Sequence, residues 1–155
     1  MRLNLQCHPM TPQSAIDQIT VEWSMSETCI IWLRYHAAGN VGEVSLPDGL
    51  DQSQRMDGLW QNTCFELFLG EPRTERYSEF NFSPSGNWAA YSFDHYRNGM
   101  DPLALAQSPE IYMDFSDTHM ALEVTFGLPD IWMREEFDAG LSAVIEMQDG
   151  EKSLW

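Results

Sequence analysis

Apolar and polar side chains alternate with a period of two along much of the chain. In residues 18–25, for example, Ile19, Val21 and Trp23 alternate with polar residues. This alternation is typical of a β-strand that buries one face. The segments predicted as strands are residues 3–8, 18–25, 29–36, 63–69, 78–83, 88–93, 110–115, 120–126 and 142–147.

Clusters of Asn, Asp, Gly, Pro and Ser separate these short strands. Many short strands with turn residues between them favour an antiparallel β-sandwich, immunoglobulin-like or jelly-roll-like, over an α/β arrangement. Helix signals are confined to Asp101-Pro102 before residues 103–106, and to residues 129–137 before Gly140. Each has room for one or two turns. The predicted fold class is therefore all-β with one or two short helical turns.

Residues 42–61 offer no strand pattern and contain Pro47, Gly49 and Gly58. The sequence predicts a long loop that brings Trp60 to the start of the strand at 63–69. Long loops in compact domains are often functional. Trp60 is therefore a candidate site residue.

The 155 residues show no repeat and no linker, which predicts a single domain over residues 1–155. No apolar run approaches the about 20 residues that a bilayer requires, and residues 1–8 lack an apolar segment of secretory length. The cysteines Cys7, Cys29 and Cys64 are scattered and form no Cys-x-x-Cys pair. These features predict a cytoplasmic protein in a reducing compartment.

The chain carries 24 acidic and 8 basic residues, a net charge of −16. Binding to nucleic-acid phosphates or to anionic lipids needs concentrated Lys and Arg. The charge therefore predicts no nucleic-acid partner and no membrane partner, and permits a cation, a basic partner or a neutral ligand.

Two strands place polar groups among aromatic ones. A period of two puts Glu66 on one face of residues 63–69 with Cys64 and Phe68, and it puts Glu79 and Asn81 on one face of residues 77–83 with Tyr77. A carboxylate among apolar neighbours requires a partner. The shared face is thus a candidate site for a polar organic ligand.

The segment Ser83-Pro84-Ser85-Gly86 predicts a turn with Gly86 in the left-handed region. If Ser83 pairs with Asn87, Trp88 belongs to the core and Tyr91 to the polar face. A slip of one residue reverses this assignment. Both aromatic residues are therefore candidates. Arg97 is another candidate, in a polar loop over residues 93–101 for which a salt-bridged turn is the alternative interpretation.

Residues 57–69 and 77–91 together resemble the DOMON-like and carbohydrate-binding-module-family-nine group of β-sandwiches. A Trp, a Phe-Glu-x-Phe strand and a Glu-x-Asn-x-Ser-Pro-x-Gly hairpin recur in that group, and each has a counterpart here. The resemblance implies that aromatic side chains clamp a saccharide while carboxylates and amides bind its hydroxyls. The predicted ligand-binding residues are Trp60, Glu66, Glu79, Asn81, Trp88, Tyr91 and Arg97.

In haem-binding DOMON members, a Met and a His hold the iron. Here His95 and Met100 share one loop and His119 adjoins Met120, too close in sequence to reach opposite sides of a haem easily. Cys-x-x-Cys-His is absent. Acidic loops could hold calcium, but no EF-hand spacing exists. The sequence therefore predicts no cofactor and no metal.

The catalytic motifs Gly-x-Ser-x-Gly and His-Glu-x-x-His, the phosphate loop and the dinucleotide fingerprint are all missing from the sequence. Glu66 and Glu79 could perform glycoside chemistry only at a defined separation, which sequence does not give. The predicted function is a non-enzymatic protein that binds a sugar-like molecule. The alternatives are a structural or protein-interaction module with an internal polar network, and a haem-binding domain.

The C-terminal residues predict a hairpin at Asp149-Gly150 whose returning arm has only residues 151–155. Relatives that the chain resembles continue with a further strand, so the domain is predicted to lack its last strand, as a truncated product or with an open edge. Such an edge, with Trp155 exposed beside it, predicts a homo-oligomer.

Overall fold

The computed structural model describes residues 1–12, 14–49, 53–133 and 136–155. The strands are β1 (Arg2–Asn4), β2 (Ile16–Met25), β3 (Ile30–Gly39), β4 (Cys64–Gly70), β5 (Tyr77–Phe82), β6 (Trp88–Phe93), β7 (Asp101–Pro102), β8 (Glu110–Phe115), β9 (His119–Gly127), β10 (Asp138–Glu146) and β11 (Lys152–Leu154). They form two antiparallel sheets. One has the order β1-β2-β3-β9-β8 and the other the order β11-β10-β4-β5-β6-β7.

The all-β sandwich is confirmed, and every predicted strand segment overlaps an observed strand. The segments at 88–93 and 110–115 have the predicted bounds, whereas β1 covers only the start of the segment at 3–8. Beyond β1, Leu5 donates its backbone N–H to Ile19 but the chain then leaves the sheet. Alternation therefore identified the strands more reliably than their ends.

The two sheets face each other across a core built from alternate residues of each strand. From the six-stranded sheet, Phe80 and Phe82 pack against Phe126 of β9, with ring centroids 5.2 and 5.5 Å apart. Tyr35 of β3 crosses the core and donates its hydroxyl to the carbonyl oxygen of Glu66, at 2.6 Å. This bond fixes β4 from behind and leaves the Glu66 side chain on the opposite face.

The predicted helical turn at residues 101–106 is wrong. Asp101–Pro102 forms the edge strand β7 beside β6, and Leu103 continues the pairing by donating its N–H to Ala90. At 129–137, one 3₁₀ turn covers Asp130–Trp132, and residues 134 and 135 lie outside the described part. No helix in the described ranges is long and apolar enough to cross a bilayer.

The predicted loop at residues 42–61 contains the 3₁₀ turn Leu59–Gln61 and the end of another, Val41–Glu43; its residues 50–52 lie outside the described ranges. Single bridges connect Val44 to Met147 and Arg55 to Trp88. Its C-terminal part therefore lies against the start of β6 and brings Trp60 to the six-stranded sheet.

The C-terminal hairpin forms, and β11 pairs with Val144–Glu146 of β10. Residues 138–142 of β10 have no strand on that side within the described chain. The predicted exposure of Trp155 is wrong, because its ring is partly buried against the core and its backbone exchanges hydrogen bonds with Ala143. His8 also donates its N–H to Leu154 at 2.7 Å, so β11 is partly covered on its outer side.

Candidate functional site

A cavity of about 910 Å³ lies on the outer face of the six-stranded sheet. Its wall is largely aromatic, and its polar groups include two carboxyl groups, a guanidinium, the serine hydroxyl and three tyrosine hydroxyls. The lining residues are Trp60, Glu66, Phe68, Tyr77, Glu79, Tyr91, Phe93, Tyr96, Arg97, Met100, Ser142, Val144 and Leu154.

The pairing of β4 with β5 places the polar residues side by side. Glu66 lies opposite Asn81, and Phe68 lies opposite Glu79, so the two carboxylates are diagonal neighbours on one face. Phe65, by contrast, is fully buried between the sheets. The period of two therefore placed Glu66, Glu79 and Asn81 on a common face, as predicted from sequence.

Glu66 is the more deeply buried carboxylate, with 7% of its surface exposed. Burial raises its pKa to about 7, and the nearby Glu79 carboxylate adds to the rise. Ser142 lies opposite Glu66 on β10, and its hydroxyl donates a hydrogen bond that lowers the pKa in part. Near neutral pH the Glu66 carboxyl can thus either donate or accept a hydrogen bond.

Glu79 is half-buried and accepts a hydrogen bond of 2.8 Å from Nδ2 of Asn81 to its Oε1. Burial raises its pKa, while the Asn81 hydrogen bond and the positive charge of Arg97 oppose that rise. Asn81 itself is fully buried, and its Oδ1 has no hydrogen-bond partner. The carbonyl oxygen of Asn81 is therefore an acceptor that receives no hydrogen bond on this face.

The turn between β5 and β6 has the predicted geometry. Ser83 donates its N–H to Asn87, Gly86 donates to Ser83, and Gly86 has a φ of 93°. In this register Tyr91 lies opposite Glu79. Tyr91 thus lines the cavity.

Trp88 is corrected as a site residue. Trp88, on β6, lies opposite Phe82 of β5 and is 6% exposed within the core between the sheets. Because successive side chains of a strand point to opposite faces, Trp88 and Tyr91, three positions apart, cannot share one. Five of the predicted residues line the cavity: Trp60, Glu66, Glu79, Tyr91 and Arg97. Asn81 shares their sheet face but is fully buried beside the cavity, and Trp88 faces the core.

Tyr91 is held by the end of the long loop. Its hydroxyl donates to Oδ1 of Asp57 at 2.7 Å, and Arg55 lies over its ring at 5.3 Å and pairs with Asp57 at 2.9 Å. Burial raises the pKa of Tyr91 to about 12, and the Asp57 carboxylate contributes to the rise. The hydrogen bond from Tyr91 is the main cause that lowers the pKa of Asp57. Tyr91 therefore stays protonated and fixed in orientation.

Trp60 stands at the rim of the cavity in the 3₁₀ turn Leu59–Gln61. Gly58 precedes this turn with a φ of 80°, a left-handed conformation that glycine adopts without strain. The Trp60 ring meets Tyr91 edge to face at 6.0 Å and is 38% exposed. An exposed indole beside a fixed tyrosine ring offers an apolar surface to a ligand.

Arg97 enters the cavity from the loop after β6. Its backbone has a φ of 56°, and its N–H donates to the hydroxyl of Tyr77 at 3.2 Å. Its guanidinium lies 5.1 Å from the centre of the Tyr96 ring. A non-glycine residue in the left-handed region is uncommon and is often found near ligands. The loop is a compact turn, as the alternative reading expected, and it also positions Arg97 at the site.

Eight of the lining residues were not among those predicted from the sequence. Phe68 and Tyr77 lie on the faces that alternation assigned to Glu66 and Glu79, so the signal for them was present. Ser142 is different, because only the pairing of β10 with β4 reveals that it lies opposite Glu66. The remaining unselected residues are Phe93, Tyr96, Met100, Val144 and Leu154.

The donor set does not fit a haem held by His and Met. No histidine lines this cavity in the described part of the chain, and His95 contacts Glu75 through Nδ1 at 2.7 Å. Met120 is fully buried in the core. Within the residues that the structure describes, no three His, Cys, Asp or Glu side chains form a group that could hold a metal ion.

Comparison with known proteins gives a similarity of fold. No protein-family model and no curated protein sequence matches the chain. Among solved structures, it is similar to a "putative carbohydrate-binding protein" from Bacteroides uniformis, with a TM-score of 0.61 at 11% sequence identity. The match covers 99% of this chain and 75% of the other. The chain therefore shares the β-sandwich fold of that protein.

Proposed function

We propose that this protein binds a sugar-like small molecule in the cavity on the six-stranded sheet and does not transform it. The observation that carries the proposal is the combination, on one sheet face, of aromatic rings with Glu66, Glu79 and Ser142. A sugar has apolar C–H faces and polar hydroxyl edges, and this face offers a matching surface to each.

Each part of a sugar has a matching group in the cavity. Exposed aromatic rings such as Trp60 can pack against the C–H face of a sugar ring. Glu79 can accept hydrogen bonds from hydroxyls, and Glu66 can accept or donate because its pKa is about 7. The volume of about 910 Å³ lies within the range of small-molecule sites, roughly 300–1,000 Å³.

Two further points support this class of ligand. The Bacteroides uniformis protein that shares the fold bears a carbohydrate-binding description. The motifs at residues 57–69 and 77–91 also resemble those of sugar-binding DOMON-like sandwiches.

The proposal of binding without turnover is supported by the sequence, which carries none of the catalytic motifs Gly-x-Ser-x-Gly and His-Glu-x-x-His, the phosphate loop or the dinucleotide fingerprint.

A purely internal polar network is the competing explanation, and the hydrogen bond from Asn81 to Glu79 favours it. The open cavity argues against it, because Glu66 and Glu79 both line a space of about 910 Å³ beside the exposed ring of Trp60.

The test is a titration of the protein with a panel of mono- and disaccharides, followed by tryptophan fluorescence and calorimetry. We expect at least one saccharide to bind, and Trp60→Ala and Phe68→Ala to weaken its binding. Tyr112→Ala is the matched control, since Tyr112 is an exposed aromatic residue on β8 of the other sheet. If no saccharide binds, or if Tyr112→Ala has the same effect as Trp60→Ala, the proposal is wrong.

A further inference from the structure

The formal charges of the cavity are unbalanced. Glu66 and Glu79 are both acidic, whereas Arg97 is the only basic residue among the described residues that line it. Arg97 acts on Glu79, where its positive charge lowers the carboxyl pKa. Glu66 has the Ser142 hydroxyl and no basic side chain among its stabilising partners. One carboxylate of the pair therefore lacks a counter-charge.

The aromatic rings of the site already attract cations. Arg55 lies over the Tyr91 ring at 5.3 Å, and Arg97 lies over the Tyr96 ring at 5.1 Å. The negative face of an aromatic ring attracts a cation within about 6 Å. The Tyr91 and Tyr96 rings are thus already occupied by guanidinium groups, so a positive ligand group would gain from the carboxylates and from other lining rings such as Phe68 and Trp60.

Asn81 does not supply the missing charge. Its side chain is neutral and fully buried beside the cavity, and its amide nitrogen donates to Glu79. Among the described residues that line the cavity, two carboxyl groups are thus matched by one cation, Arg97. The cavity therefore suits a ligand group that carries a positive charge.

We infer that the preferred ligands are amino sugars, whose protonated amine pairs with Glu66 and Glu79 while the sugar ring packs against the aromatic wall. This inference rests on the proposed function and narrows its ligand class. An acidic sugar would meet repulsion from both carboxylates and from the net charge of −16. A neutral sugar would leave the missing counter-charge unsupplied.

The test compares sugars that share a ring and differ at one substituent. Glucose, glucosamine and N-acetylglucosamine form one set, and the galactose and mannose series form two more. Each is titrated calorimetrically into the wild type, Glu66→Gln, Glu79→Gln and Glu110→Gln. Glu110 lies exposed on β8 of the other sheet, so its variant removes the same charge without touching the cavity.

In at least one set, we expect the amino sugar to bind about tenfold or more tightly than both uncharged sugars, equivalent to about 1.4 kcal/mol. Glu66→Gln and Glu79→Gln should each reduce this preference, and Glu110→Gln should retain it. If neutral and amino sugars bind equally, the inference is overturned while sugar binding stands. If no sugar in any set binds, the inference is overturned, and the proposed function is overturned with it when the panel of mono- and disaccharides also fails to bind.

Discussion

The buried carboxyl group of Glu66 lowers the stability of the fold and provides a polar group for the cavity. The residue holds a carboxyl group at 7% exposure, where ionisation is costly, although the opposite face of the same strand is occupied by apolar core residues. Tyr35 bonds only to its backbone carbonyl, so the side chain contributes nothing to that contact between the sheets. Its side chain is therefore better explained by a role in the cavity than by packing.

The pH dependence of stability should reveal this cost. The pKa of Glu66 is raised from 4.5 to about 7 in the folded protein. A raised carboxyl pKa gives stability that is present below the unfolded pKa and is lost as the pH rises through the folded pKa. At 1.36 kcal/mol per pH unit, ionisation of Glu66 should lower the free energy of unfolding by about 3 kcal/mol as the pH rises from about 4.5 to about 7.

We therefore predict that Glu66→Gln flattens the fall in unfolding free energy over that interval, measured by urea denaturation at a series of pH values. Glu110→Gln should keep the wild-type dependence, because Glu110 is exposed on another sheet. Identical pH profiles for Glu66→Gln and wild type would refute the assigned ionisation.

A pair of alanine variants separates site from core on the same strand. Phe65→Ala should cost about 3–5 kcal/mol of stability, because Phe65 is fully buried between the sheets. Glu66→Ala should lose little stability and should weaken saccharide binding. Chemical denaturation and calorimetry measure the two effects. Unfolding caused by Glu66→Ala, with residual affinity unchanged, would identify the carboxylate as a structural residue.

At the scale of elements, alternation and turn chemistry predicted most of the sandwich and part of the site. The strand β6 was predicted with its bounds because turn residues flank it. The short edge strand β7 was missed because Asp101-Pro102 carries a helix-capping signal, which pairing with β6 overrides. Local preference could not reveal that tertiary contact.

The site was predicted in part for a related reason. The faces of β4 and β5 follow from the period of two within each strand, so Glu66, Glu79 and Asn81 could be identified. The choice between Trp88 and Tyr91 depended on the register of the β5–β6 hairpin, and Ser142 depended on the pairing of β10 with β4. The register between strands is set by packing of the whole core, so the sequence of one segment predicts it only in part.

Two glycines offer a test of this architecture. At Gly86 an added Cβ would have no heavy atom within 4 Å, so Gly86→Ala should cost only the left-handed backbone, about 1–2 kcal/mol. At Gly39, with φ of 150°, the same Cβ would clash with the Ala15 carbonyl oxygen and the Ile16 Cα. We predict a larger loss for Gly39→Ala, measured by thermal or urea unfolding. Equal losses would contradict the close approach at Gly39.

At the scale of the whole molecule, we expect self-association because one edge of β10 is only partly paired. Residues 138–142 have no strand on their outer side within the described chain. Ala143 points its N–H to that side, toward Trp155, so by alternation Ala139 does the same. An exposed row of donors and acceptors is a template for a second chain.

We therefore predict a dimer or higher oligomer that dissociates in Ala139→Pro, because proline removes an outward donor without removing a bond to β4. Multi-angle light scattering at high micromolar concentration measures both proteins. A wild-type monomer at that concentration would reject association through this edge.

The most direct test of the central claim, that the cavity on the six-stranded sheet binds a saccharide, is an NMR titration of the ¹⁵N-labelled protein with a saccharide panel. The prediction is that shifts concentrate on amides of β4, β5, β6 and β10 and on the Trp60 indole. The indoles of Trp88 and Trp132, both buried, should move far less. Shifts confined to the five-stranded sheet, or no shifts with any saccharide, would contradict the account.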